Sequence, residues 1–236
     1  MKKLLLLLII PLLSFGQVEK RVFEEDLVRK GTIENPIFYY EGELFTGICF
    51  DIYQGGELKF EMSISDGECE WMKIYYKNGQ LESEAVYGDN FFTYNVKSYY
   101  ENGQLKYEGK IVNKKPEGLV KTYYENGQLD SEGYYQNGNR VGVFRWYYEN
   151  GQLQEESRFI NNGSKKEWLK QYYSNGTLGC HTNYTNNLLK LYYKNGQLAY
   201  QENSLDNSTI CWDKKGQEIV CDSIIQDVER LILKFL

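Results

Sequence analysis

Apolar and polar residues alternate along most of the chain with a period of two, in short runs separated by turn residues. Runs such as Met72-Lys73-Ile74-Tyr75-Tyr76, Val96-Lys97-Ser98-Tyr99-Tyr100 and Phe144-Arg145-Trp146-Tyr147-Tyr148 send successive side chains to opposite faces of a strand. Each run ends three residues before a Gly, usually as Asn-Gly. That dipeptide between strands is a strong hairpin signal, because a type I′ turn needs positive φ at both central residues. A helix would be broken by Gly recurring roughly every dozen positions and disfavoured by the tandem aromatic and β-branched residues.

The turns are periodic. Tyr-Tyr-x-Asn-Gly-Gln-Leu begins at Tyr75, Tyr99, Tyr123, Tyr147 and Tyr192, and Tyr-Tyr-Ser-Asn-Gly-Thr-Leu begins at Tyr172. Degenerate copies precede these at Ile52 and follow at Cys211. Looser turns lie between, at Asn113-Lys114-Lys115-Pro116, Gln136-Asn137-Gly138-Asn139 and Asn162-Gly163-Ser164. Each repeat is thus two strands and two turns. The fold class expected is all-β: an elongated, twisted antiparallel meander of ~24-residue repeats whose units contact mainly their neighbours.

A two-residue Asn-Gly loop sets the register. The second Tyr then faces the Leu of its repeat, as in Tyr76 with Leu81 and Tyr100 with Leu105. Further out, Lys73 faces Glu84, Lys97 faces Glu108, Lys121 faces Glu132 and Arg145 faces Glu156. Opposite charges facing across strands contribute about 0.2–1 kcal/mol each. The ladder lapses where Lys170 faces His181 and Lys190 faces Gln201. The second-Tyr face, with Met72, Val120, Phe144, Leu169 and Leu191, is expected to be buried. The first-Tyr face, with its basic and acidic rows, is expected to be half-solvated.

The ends read differently. Lys2 and Lys3 precede an apolar run over residues 4–13, then small residues at Ser14 and Gly16, which fits a signal peptide over 1–16 and an exported protein. Residues 17–37 are a lead-in, 38–222 the repeats, and 223–236 a capping helix with Ser223 as N-cap and Ile224, Val228, Leu231 and Phe235 on one stripe. No transmembrane segment is expected, since the leader run is short.

Composition then narrows the chemistry. The 236 residues hold 22 Tyr, 22 Gly and one His, with a net charge of −6, or −8 once Lys2 and Lys3 leave with the leader. A single His argues against multi-His metal sites, and the acidic balance argues against nucleic-acid binding. No metal or cofactor is expected, nor catalysis. Cys180 and His181 are adjacent on a strand and so point to opposite faces, unlike a nucleophile and its base. The ladder acids each have a basic partner, which opposes the raised pKa that an acid catalyst needs. Export permits disulfides. Cys211 and Cys221 flank the last hairpin, directly opposed or one residue out of register; Cys49 and Cys69 lie on strands separated by a third.

These Tyr-Tyr-x-Asn-Gly-x-Leu copies, together with Tyr135-Gln136-Asn137-Gly138-Asn139-Arg140-Val141-Gly142, resemble the MORN-repeat-variant family. That family occurs in bacterial proteins often described as antitoxin components of toxin–antitoxin modules. The resemblance implies a non-enzymatic β-repeat protein that contacts other proteins or, by analogy with eukaryotic MORN proteins, membrane lipids. The role expected is a secreted or periplasmic protein-binding scaffold. Its alternatives are an antitoxin or immunity-like protein, and a glycan or cell-wall binder. The candidate interaction face is the first-Tyr row: Tyr75, Tyr99, Tyr123, Tyr147, Tyr172 and Tyr192.

Overall fold

A computed structural model describes residues 19–88 and 90–235; the leader expected over 1–16 lies outside the described residues. Among the described residues, seventeen strands form one sheet. From Gly47–Ile52 through Glu218–Ile219, each strand pairs antiparallel with the next in sequence. Arg21–Phe23 adds a parallel edge strand against Gly47–Ile52. The alternating pattern accounts for the meander, since short turns join only antiparallel neighbours.

The two kinds of turn exchange the roles expected of them. At the repeated heptapeptide, the Tyr76 N–H donates to the Gln80 carbonyl at 2.9 Å, and the Gly79 N–H to the Tyr76 carbonyl at 2.9 Å. Gly79 has φ +84° while Asn78 stays out of the left-handed region. The loop therefore has three residues, a type I turn closed by a left-handed Gly, and not the type I′ turn expected. The type I′ turns sit at the other ends of the hairpins. Asp66-Gly67, Asn113-Lys114 and Asn137-Gly138 each join directly paired strand ends with both φ values positive.

This turn corrects half of the expected register. The first Tyr, not the second, faces the Leu: Tyr75 with Leu81, Tyr99 with Leu105, Tyr123 with Leu129, Tyr147 with Leu153, Tyr172 with Leu178 and Tyr192 with Leu198. One residue beyond, the register shifts; between Tyr75 and Ile74 the shift leaves Glu82 as an extra residue. A longer loop followed by a one-residue bulge restores the sum that a two-residue loop would give. The register accordingly pairs Lys73 with Glu84, Lys97 with Glu108, Lys121 with Glu132 and Arg145 with Glu156.

Both ends of the sheet are capped on the second-Tyr face. At the start, a three-stranded sheet (Val28–Gly31, Pro36–Tyr40 and Glu43–Leu44) and the short 3-10 turn Glu24–Asp26 lie over a core of Val22, Phe45, Cys49, Met62 and Ile64. Residues 38–44, assigned from the sequence to the repeats, belong to this cap. At the far end the helix Ile225–Phe235 packs Val228 and Phe235 against Tyr173, Cys180 and Leu191. Gly179 leaves the space that the Phe235 ring occupies. The helix follows a 3-10 turn, Cys221–Ile224, in which Ser223 Oγ donates back to the Val220 carbonyl at 2.6 Å instead of capping the helix.

Between the caps the sheet is one layer, so the second-Tyr face is only partly the buried face expected. Val120, Phe144 and Leu169 are buried, but Tyr76, Tyr100, Tyr124 and Tyr148 are half-buried. Aromatic contacts thicken the layer locally: Phe144 meets Tyr135 and Phe159 edge-on, and the Arg140 guanidinium stands 5.3–5.5 Å from the centroids of Phe144, Trp146 and Phe159.

Candidate functional site

The repeated residues form three hydrogen-bonded rows that run from repeat to repeat. In the first, the second Tyr of one repeat donates to the backbone carbonyl of the first Tyr in the next: Tyr76 to Tyr99, Tyr100 to Tyr123, Tyr124 to Tyr147, Tyr148 to Tyr172 and Tyr173 to Tyr192, at 2.6–2.8 Å. Tyr53, in the degenerate copy at Ile52, and Tyr193, in the last full copy, extend the row to Tyr75 and Trp212. In the second, the turn Asn accepts within its own loop and donates to the next turn: Asn102 Oδ1 accepts from the Gln104 N–H, and Asn102 Nδ2 donates to the Glu125 carbonyl.

The third row lies on the first-Tyr face. Tyr75 donates to Glu61, Tyr99 to Glu84, Tyr123 to Glu108 and Tyr147 to Glu132, at 2.7–3.1 Å. Hydrogen bonds to carboxylates are stronger than neutral ones. Burial first, then these carboxylates, push the Tyr99 and Tyr123 phenols up to about 12. Burial also raises Tyr75, Tyr147, Tyr172 and Tyr192. The six first tyrosines are all half-buried.

Taking the tyrosine hydroxyl changes what the acids do for the basic row. Among the described ladder residues, ion pairs within 4 Å form at Arg145, 3.0 Å from Glu156 and 3.8 Å from Glu132. Lys73, Lys97 and Lys121 face their acids in register without such a contact, and the Lys73 ammonium lies 4.7 Å from the Trp71 ring centroid instead. Arg spans the gap because its fork is longer and presents five donors.

Alongside this ladder, on the same face, runs a row of mostly apolar residues interrupted by Arg158, which pairs with Glu167 at 2.9 Å. Leu119 faces Tyr134, which faces Val141; Val143 faces Arg158, which faces Trp168. Tyr134 is 57% exposed and Leu119 40%. Neither cap reaches this face, so it stays open over the middle repeats.

The remaining candidates separate. Cys180 is buried under the helix with Leu191, and burial raises its thiol pKa. His181 faces Lys170 on one side and Lys190 on the other. Burial and both ammonium groups lower its pKa, which keeps the ring neutral at pH 7. Cys211 and Cys221 are joined by a disulfide with Cα atoms 5.1 Å apart. Cys49 and Cys69 remain thiols with the strand Leu58–Ser65 between them, and burial pushes both up to about 12. No cluster of three metal-ligating side chains occurs among the described residues, and no described helix is long and apolar enough to cross a membrane.

One polar cluster escaped the sequence. Glu155 accepts from Ser157 at 2.8 Å, Lys166 at 3.0 Å and Gln171 at 3.2 Å on the second-Tyr face. The available signal was a carboxylate where Ser83 and Ser131 stand in other repeats.

The family model described as MORN repeat variant matches residues 72–89, 95–113, 116–137, 140–161 and 186–206. The unmatched interval 162–185 contains the lapse at His181. No curated protein matches the chain. Among solved structures, the chain is similar to one described as the GtfA/B complex bound to UDP and GlcNAc, at 19% identity, TM-score 0.22, over 48% of this chain and 25% of that one. It is also similar to a TcdB2-TccC3-Cdc42 structure (12%, TM-score 0.23, over 75% and 11%). A third is alternansucrase in complex with isomaltononaose (16%, TM-score 0.22, over 82% and 16%). The chain thus spans a quarter or less of each of these structures. Five of its segments, each built of the hairpin units described above, match the MORN repeat variant.

Proposed function

We propose that the protein is an exported, non-catalytic repeat scaffold that binds a protein partner along the first-Tyr face. The observation that carries this is the asymmetry of the capping. Both ends are covered on the second-Tyr face, while the opposite face presents charged and apolar rows that no other element among the described residues covers. Such a face, part aromatic and rimmed by charge, has the composition of a protein-binding surface. A toxin is one class of partner that this face admits. Glycan binding through the first tyrosines is weaker, since their hydroxyls already donate to Glu61, Glu84, Glu108 and Glu132. Export is supported by the leader-like residues 1–16 and by the Cys211–Cys221 disulfide, which suits an oxidising compartment.

The test is affinity capture from the native host with the wild-type chain and with Leu119→Asp/Tyr134→Asp. Both residues are exposed, so folding should survive. Loss of one specific captured protein in the variant supports the proposal. Equal capture by both chains places binding elsewhere.

A further inference from the structure

At the end of the meander the C-terminal helix meets the last two heptapeptide-type turns and lines an open groove of about 410 Å³. That volume falls within the range of about 300–1,000 Å³ typical of small-ligand pockets. Tyr193 and Leu231 supply its apolar surface, and Lys194, Lys214, Asp227 and Arg230 its charge. The site is assembled from both elements. Asn195 Nδ2 donates to the Lys214 carbonyl at 3.0 Å and holds the two turns together. Asp227 on the helix draws in Lys214 at 3.4 Å and Arg230 at 3.9 Å.

The charge balance here is opposite to that of the three central turns, although Lys77 stands at the same place in the first heptapeptide. The residue before the turn's Asn is Glu101, Glu125 or Glu149 in the central repeats, but Lys194 in the last heptapeptide, with Lys214 at the equivalent place in the degenerate turn. Three cations face one carboxylate in a chain whose net charge is −6. An ammonium carries three N–H donors and a guanidinium five, so a single shared carboxylate leaves most of them open. The ring under the cations is itself ordered: the Tyr193 hydroxyl donates to the Trp212 carbonyl at 3.1 Å, and Lys214 Nζ lies 5.6 Å from the ring centroid.

We propose that this groove binds a small organic anion, its phosphate or carboxylate group held by Lys194, Lys214 and Arg230 and its apolar body resting on Tyr193 and Leu231. The site is separate from the first-Tyr face and does not depend on a protein partner.

Titration calorimetry of the intact, oxidised protein with phenyl phosphate, benzoate, inorganic phosphate and phenol tests it. The expected result is saturable binding of phenyl phosphate or benzoate, weakened by added salt. Phenyl phosphate binding more tightly than benzoate supports a phosphate ligand; the reverse supports a carboxylate. Arg230→Glu, on a 78% exposed side chain, should weaken binding by about tenfold or more, while Arg230→Lys and the remote Lys106→Glu retain it. The proposal is overturned by no saturation up to about 10 mM, a range corresponding to very weak association. It is equally overturned if phenol binds as well as the anions, if inorganic phosphate matches phenyl phosphate, or if Lys106→Glu weakens binding as much as Arg230→Glu.

Discussion

Tyr99 and Tyr123 show how one residue type serves two ends of the same repeat. Each hydroxyl donates to the ladder acid of the preceding repeat, while each carbonyl receives the second Tyr of that repeat. Burial first, and then the carboxylate, push their phenols up to about 12, against 10.0 for an unperturbed tyrosine. The folded state therefore holds these protons more tightly than the unfolded chain does. Stability from this source is complete below pH 10 and is lost as pH rises from about 10 to about 12. Urea midpoints should stay level through mildly alkaline pH and fall above 10. Tyr99→Phe/Tyr123→Phe should make that fall shallower and cost about 1.5–3 kcal/mol at neutral pH for each of the two bonds removed, the range for hydrogen bonds to charged groups. A fall of unchanged steepness would mean that other groups govern alkaline unfolding.

At the scale of strands, a charge on the ladder has neighbours on both sides. Lys121 is registered against Glu108 as well as Glu132, and Glu132 also accepts from Tyr147 and approaches Arg145. Exchanging the two residues, which a simple pair would tolerate, places a lysine beside Arg145 and a glutamate opposite Glu108. Lys121→Glu/Glu132→Lys should therefore destabilise by about 1–2 kcal/mol in urea unfolding; a neutral exchange would argue that the two residues act as an isolated pair. The capping helix depends on a different constraint. The disulfide spans 10 residues and ties the helix's lead-in to the strand Ser208–Trp212. Cys221→Ser should lower stability by about 2–3 kcal/mol on chain-entropy grounds. It should also speed alkylation of Cys180, which is fully buried under the helix. Unchanged Cys180 reactivity would show that packing alone holds the cap.

For the whole molecule, the decisive feature is that the central repeats pair only with their neighbours, as in a linear array. The Tyr and Asn rows repeat the same donor and acceptor at each step, so the central units are interchangeable. Deleting residues 99–122 joins Ser98 to Tyr123 and presents the Tyr123 carbonyl to Tyr76. The shortened chain should keep its β circular dichroism and unfold cooperatively at a lower temperature. Loss of the β signal would show that a long-range contact holds the array together.

The meander, its period and the charge pairing were legible in the alternation, the Tyr-Tyr-x-Asn-Gly-x-Leu copies and constant-sum pairing, because a strand's faces and a hairpin's register follow from local spacing. Turn type was not legible. A three-residue loop followed by a bulge gives the same sum as a two-residue loop, so Lys73 and Glu84 pair in either case while the partner of Leu81 changes from Tyr76 to Tyr75. The tyrosine–glutamate bonds and the groove at Lys194, Lys214 and Arg230 were also outside its reach, because the first are diagonal contacts between neighbouring strands and the second needs a helix placed by tertiary packing. The sequence by itself determined which residues share a strand and a face. Which face stays open, and which charges meet on it, was decided by where the two caps pack, a matter of tertiary burial that local periodicity does not encode.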